Sequence, residues 1–205
     1  VIAILDYGLG NVLAFQNVYK RLDIPVVVAR TAESLAGATK LILPGVGAFD
    51  HAMSLFELSG LRVAAEAMVL EHRVPVIGIC VGMQMLANGS EEGRRPGLGW
   101  VPGQVRRFDP AEIQQATRLP HMGWNDVTPV RPSPLFAGLE SEARFYFLHS
   151  YYFAPESSAS TLAVAQYGRE FACAVQRDNV YGVQFHPEKS HHFGSDLLKN
   201  FAELV

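Results

Sequence analysis

The sequence predicts an α/β fold: three layers, with an open, mostly parallel (mixed) sheet between flanking helices. Three observations carry this expectation. Short apolar runs alternate with helical patterns through the first half of the chain. Those runs contain almost no polar residues, as strands covered on both faces require. The second half changes to strands with polar alternation, punctuated by Gly and Pro.

The elements follow in order. Val1–Leu5 reads as a buried strand. Asn11–Leu22 carries Val12, Phe15, Val18, Tyr19 and Leu22 at helical spacing. Pro25–Ala29 and Lys40–Leu43 read as the second and third strands. Asp50–His72 is helical in pattern and broken near Ser59-Gly60. Pro75–Ile79 is a fourth strand, with a helical Val81–Ala87 after it. Strands are then expected over Leu98–Val105, Arg144–Phe153, Thr161–Gln166, Ala172–Gln176 and Val180–Phe185. Arg177-Asp178-Asn179 supplies a hairpin turn before the last of these. Leu197–Leu204 is a short closing helix. There is no internal repeat and no low-complexity linker, so one domain over residues 1–205 is expected.

Bulk properties exclude several classes. The chain has 205 residues, 49% of them hydrophobic, enough for a substantial core. With 17 Lys+Arg against 20 Asp+Glu, the net charge of −3 gives no reason to invoke nucleic acid or an anionic membrane. Arg94, Arg95, Arg106 and Arg107 lie close in sequence and read as a solvated face. The two cysteines, Cys80 and Cys173, lack metal-ligand spacing and cannot make a disulfide framework. A reduced, cytoplasmic setting is expected. The opening apolar run stops at Asp6, which reads as a strand rather than a leader.

Two constellations carry chemistry. Gly78-Ile79-Cys80-Val81-Gly82 stands between a buried strand and a helix. It has the form of a nucleophile elbow with Cys in place of Ser. A sharp turn strains the nucleophile's backbone, and glycines two residues to either side let neighbouring backbone approach. Cys80 would then sit at a helix N-terminus, which favours thiolate, with the Val81 N–H aimed at a developing oxyanion. Cys173, in apolar Ala172-Cys173-Ala174-Val175, reads as core.

Gln184-Phe185-His186-Pro187-Glu188 is the second. In an extended segment His186 and Glu188 would share a face, and a carboxylate beside His fixes its tautomer and stabilises imidazolium. The order Cys, His, acid differs from the α/β-hydrolase order. Taken together, Cys80, His186 and Glu188 form the expected catalytic set of a cysteine amidase.

Two further glycine loops follow strands. Leu43-Pro44-Gly45-Val46-Gly47-Ala48-Phe49 is placed to donate a second oxyanion hydrogen bond. Asp6-Tyr7-Gly8-Leu9-Gly10-Asn11 is no dinucleotide loop, because Leu13 stands where the third glycine belongs.

With these motifs the chain resembles the class I, triad-type glutamine amidotransferases. Pro75–Gln84 and Gln184–Glu188 carry the class resemblance. Within the class it is similar to the glutaminase subunits of imidazole glycerol phosphate synthases. That finer resemblance rests on Asp6–Asn11, Leu43–Phe49, Pro120-His121-Met122-Gly123-Trp124-Asn125 and Phe145–Tyr152. Glu188-Lys189-Ser190 and Leu197–Phe201 fit too, so the match runs from Asp6 to Phe201.

The resemblance implies hydrolysis of L-glutamine to glutamate and ammonia through a γ-glutamyl thioester on Cys80. Val81 and the Val46–Gly47 segment would supply oxyanion donors. Gly45, Gln84, His149, Ser150 and Tyr151 would bind substrate. A HisF-type (β/α)8 cyclase would be the partner in a heterodimer and receive the ammonia, with Asn11, His121, Trp124, Asn125 and Lys189 on its face. Neither a cofactor nor a metal is implied. Another class I glutaminase and a non-catalytic regulatory relative are the competing readings. In place of the class's Gly-Gly-Pro-Gly loop stands Pro44-Gly45-Val46-Gly47, and Val46 disfavours positive φ. The expectation is a loop that rests with its amide turned away until a partner docks.

Overall fold

The computed structural model describes residues 1–205. The first half builds the parallel part of the sheet. Its strands are β1 (Ile2–Leu5), β2 (Val26–Ala29), β3 (Lys40–Gly45) and β4 (Val76–Cys80). Its helices are α1 (Val12–Arg21), α2 (Phe49–Leu58), α3 (Leu61–Glu66) and α4 (Val81–Met85). A π-helical turn over Ala67–Glu71 prolongs α3. Asn11 caps α1, its side chain accepting from the Ala14 N–H, and Lys20 and Arg21 sit at the negative end of the helix.

The second half supplies β5 (Gly89–Ser90), β6 (Gly103–Arg107), β7 (His121–Asp126), β8 (Thr128–Pro129) and β9 (Arg144–His149). β10 (Tyr151–Pro155), β11 (Thr161–Tyr167), β12 (Arg169–Arg177), β13 (Val180–Val183) and the closing helix α5 (His191–Glu203) complete the chain. The main sheet has 11 strands, running β2-β1-β3-β4-β13-β12-β10-β6-β5, with β11 on β12 and β8 on β11. The first five in that order are parallel, and β12 turns the sheet antiparallel. A separate two-stranded sheet pairs β7 with β9. Sixty buried residues form one continuous core cluster.

The mixed α/β sheet and the order of its elements are as the sequence predicts, and so is the Asp178-Asn179 hairpin between β12 and β13. Four expectations need correction. Arg144–Phe153 is not one strand: the chain leaves the small sheet at His149 and enters the large one at Tyr151. Leu98–Pro102 is irregular, although Trp100 and Val101 pack into the core, and only Gly103–Arg107 pairs. The strand over His121–Asp126 was not expected, because its inner face carries His121, Gly123 and Asn125 instead of apolar residues. α5 begins at His191 rather than Leu197. Its exposed first turn and Gly194 hide the helical period, and a side chain at Gly194 would strike the Pro187 carbonyl at 1.7 Å.

Candidate active site

The elbow is built by close backbone approach. Cys80 ends β4 with φ +55° and ψ −113°, a strained conformation for a non-glycine residue. The helix that follows must turn back against the end of β3. A Cβ on Gly82 would lie 1.9 Å from the Leu43 carbonyl oxygen, and one on Gly78 2.5 Å from that of Gly82. Only glycine lets these segments meet, so the pair of glycines dictates where the sulfur stands. Cys80 is 4% exposed, at the floor of an open cleft of about 530 Å³.

The second constellation meets the first there, by a different local route from the expected one. β13 stops at Val183, and Pro187–Lys189 is a 3-10 turn, not extended chain. That turn swings the Glu188 side chain back to His186, whose Nδ1 lies 2.8 Å from Glu188 Oε1. Both side chains are buried. The His186 N–H donates to the Tyr146 carbonyl at 2.8 Å, tying the turn to the small sheet. Burial alone would push the imidazole's pKa down. Hydrogen bonding to Cys80 and Glu188, with their negative charges, outweighs burial and carries it up to about 10.

Around the sulfur, Gln184 Nε2 approaches at 3.7 Å. Val81 opens α4, so its N–H has no acceptor within the helix. Across the cleft, Val46 and Gly47 line the wall, and neither backbone N–H has an acceptor in the protein. Gly47 takes the positive φ, +83°, and Val46 does not. Gly45 does not line the cleft. It lies beneath it, where a Cβ would meet the Gly82 nitrogen at 2.6 Å. Gln84, His149, Ser150 and Tyr151 all line the cleft. Glu92 lines it as well and accepts from the Phe49 N–H at 2.6 Å. Sequence reasoning missed Glu92, whose only signal was an acidic pair in a polar loop.

The residues expected on a partner face divide. Asn11 and Lys189 are exposed, and Lys189 lies over the Tyr146 ring at 5.9 Å. Trp124 is 39% exposed and stacks on His191 at 5.3 Å. His121 is corrected: it is buried, stacked between Phe147 and Tyr167. Asn125 turns inward with it. The arginines at 94, 95, 106 and 107 are exposed, as expected.

A cysteine and an imidazole converging at a strained strand-to-helix turn define a nucleophilic amide- or ester-cleaving centre. The family model of the class I glutamine amidotransferases matches residues 3–204, and the chain belongs to that family. Within it the similarity is to subunits called HisH, of imidazole glycerol phosphate synthase. The chain is 64% identical to the one from Bdellovibrio bacteriovorus, over 204 residues and the full length of both proteins. It is 48% identical to the one from Leptospira interrogans, again over the whole of each chain. Among solved structures, a glutamine amidotransferase crystal structure shares the fold with a TM-score of 0.76 at 24% identity, covering 99% of this chain and 97% of that one. No helix is long and apolar enough to cross a membrane.

Proposed function

We propose that the chain is the glutaminase subunit of an imidazole glycerol phosphate synthase, acting in the cytoplasm in histidine biosynthesis. The meeting of Cys80 and His186 in one cleft, with Glu188 bonded to His186 behind it, is the observation that carries the reading. Cys80 sulfur attacks the side-chain carbonyl carbon of L-glutamine. The oxyanion forms against the Val81 N–H and an N–H of the Val46–Gly47 segment. His186, as imidazolium, gives its proton to the departing nitrogen, and ammonia leaves. A water deprotonated by His186 then opens the thioester to glutamate and restores the thiol. Glu188, bonded to Nδ1, holds the ring with its other nitrogen toward the sulfur.

The remaining cleft residues suit the amino-acid end of the substrate. The Glu92 carboxylate and Gln84 Oε1 face an ammonium, and the Ser150–Tyr151 backbone faces a carboxylate. Ammonia would pass to a HisF-type (β/α)8 cyclase, which makes imidazole glycerol phosphate and aminoimidazole carboxamide ribonucleotide. Asn11, Trp124 and Lys189 fit the docking face for that partner. Glutamate release should be low for the chain alone and rise strongly with a HisF-type cyclase and its ribonucleotide ligand. Full activity alone would keep the triad, sink partner gating and weaken the assignment to this synthase.

A further inference from the structure

Two buried histidines outside the triad occupy a chain of hydrogen bonds whose direction is fixed at both ends. β7 and β9 place His121 opposite His149 in register, with His121 Nδ1 2.8 Å from His149 Nε2. His149 Nδ1 lies 2.7 Å from the Tyr151 carbonyl oxygen. At the other end, Asn125 Nδ2 lies 3.2 Å from His121 Nε2 and 2.8 Å from the Gln166 carbonyl oxygen.

The roles follow from what each group can do. A carbonyl only accepts, so His149 must carry its proton on Nδ1 and accept on Nε2. His121 must then donate from Nδ1 and accept on Nε2. From the far end, the Gln166 carbonyl forces Asn125 to present its NH2, which again makes His121 Nε2 the acceptor. Both ends demand the same pair of neutral tautomers. Protonating either ring would put two donors face to face. Burial keeps both rings neutral, pulling His121 down to about 4 and His149 to about 3.

The chain ends on the cleft wall. The Tyr151 carbonyl takes a second hydrogen bond from Gln84 Nε2 at 3.2 Å. The other Gln84 amide hydrogen goes to Gln184 Oε1 at 3.0 Å. With both N–H groups engaged inside the protein, Gln84 keeps only its oxygen for a ligand.

We propose that His121 and His149 are positioning residues, a strut of two neutral Nδ1–H imidazoles that sets the His149–Tyr151 wall and the Gln84 amide for binding substrate. This rests on reading the cleft as the glutamine site. The strut makes no hydrogen bond to the sulfur or to His186, and His149 meets His186 only through charge, so it governs KM rather than kcat.

The discriminating variants are His121→Asn and His121→Gln. The Asn amide reproduces a donor at the Nδ1 place, whereas Gln reproduces the Nε2 place. KM for glutamine should stay near the wild-type value in H121N. It should rise about tenfold in H121Q and His149→Phe, the loss of roughly one hydrogen bond, with kcat within about twofold in each. Equal KM for H121N and H121Q would overturn the strut. Should the buried substitutions not fold, the wild-type chain decides. Nitrogen-15 correlation spectra at neutral pH should show both rings as neutral Nδ1–H tautomers, and an Nε2–H or charged ring at either position would refute the proposal. That spectrum needs no turnover, so a wild type that releases no glutamate even with a HisF-type cyclase and its ribonucleotide ligand would count against the glutaminase reading alone.

Discussion

Gly82→Ala tests the construction of the elbow. The added methyl would sit 1.9 Å from the Leu43 carbonyl oxygen and 3.0 Å from its carbon. A carbon needs about 3.3 Å from a carbonyl oxygen, so α4 and β3 must part by about 1.4 Å. No side chain can rotate to absorb this, because the obstacle is backbone. Nor is the backbone free: Leu43 is paired in register with Gly78 on β4, and every residue of α4 is buried. The cost belongs at the upper end for overpacking, about 3 kcal/mol. For a chain of this length that lowers the melting midpoint by about 6–12 °C. The displacement also passes to Cys80 and to the Val46–Gly47 wall, and a shift near 1 Å costs on the order of 100-fold in kcat. Thermal melting and glutamate release would be measured on the same preparations. Gly37→Ala is the control. Gly37 has φ +79° with no neighbour within 4 Å, so strain of about 1 kcal/mol should lower the midpoint by a few degrees and leave kcat unchanged. A G82A protein melting within a degree of wild type, with wild-type kcat, would refute the close-approach argument.

Glu188→Gln removes the carboxylate at His186 Nδ1 and should cut kcat by roughly 10²–10⁴-fold. Because the imidazole's folded pKa is raised, its contribution to stability is complete below about 6.5 and fades as pH climbs toward 10. Melting midpoints followed across that window should fall with pH in wild type and fall less in E188Q. Cys80→Gly should abolish glutamate release while raising the midpoint by about 2–4 °C, since glycine relieves the positive φ at the cost of a small buried side chain. Val46→Gly should raise glutaminase activity in the absence of any partner. Unchanged activity would remove the idea that Val46 holds the loop with its amide turned away.

The parallel half of the fold was legible because its inner strands are buried on both faces and say so in composition: Ile2–Leu5 and Val76–Cys80 have no exposed residue, whereas the edge strand Val26–Ala29 exposes Val27. The elbow at Cys80 was legible because Gly78 and Gly82 mark a constraint that only close approach explains. Strand β7 of the small sheet was not. Its inner face carries His121, Gly123 and Asn125, and the hydrogen bonds that satisfy His121 and Asn125 leave no trace in a hydropathy pattern. For the same reason His121 read as a surface residue. Glu188 reached His186 as expected, but through a 3-10 turn, since the pattern H-P-E fixes proximity and not the backbone path. Gly45, expected to face substrate, serves the backbone contact beneath the cleft instead.

Strand β4, apolar along its whole length, lies between β3 and β13 in the sheet. β3 precedes it on the ribosome, but β13 begins at Val180, roughly a hundred residues downstream of Cys80. At about 5–20 residues per second, the nascent chain carries one open edge of this strand for about 5–20 s. That edge is a template for pairing with other chains, and the thiol at its end is accessible over the same interval. Translation arrested before Val180 would therefore yield a chain that labels readily at Cys80 and needs a chaperone. Release past the hairpin would close the edge and hide the thiol together.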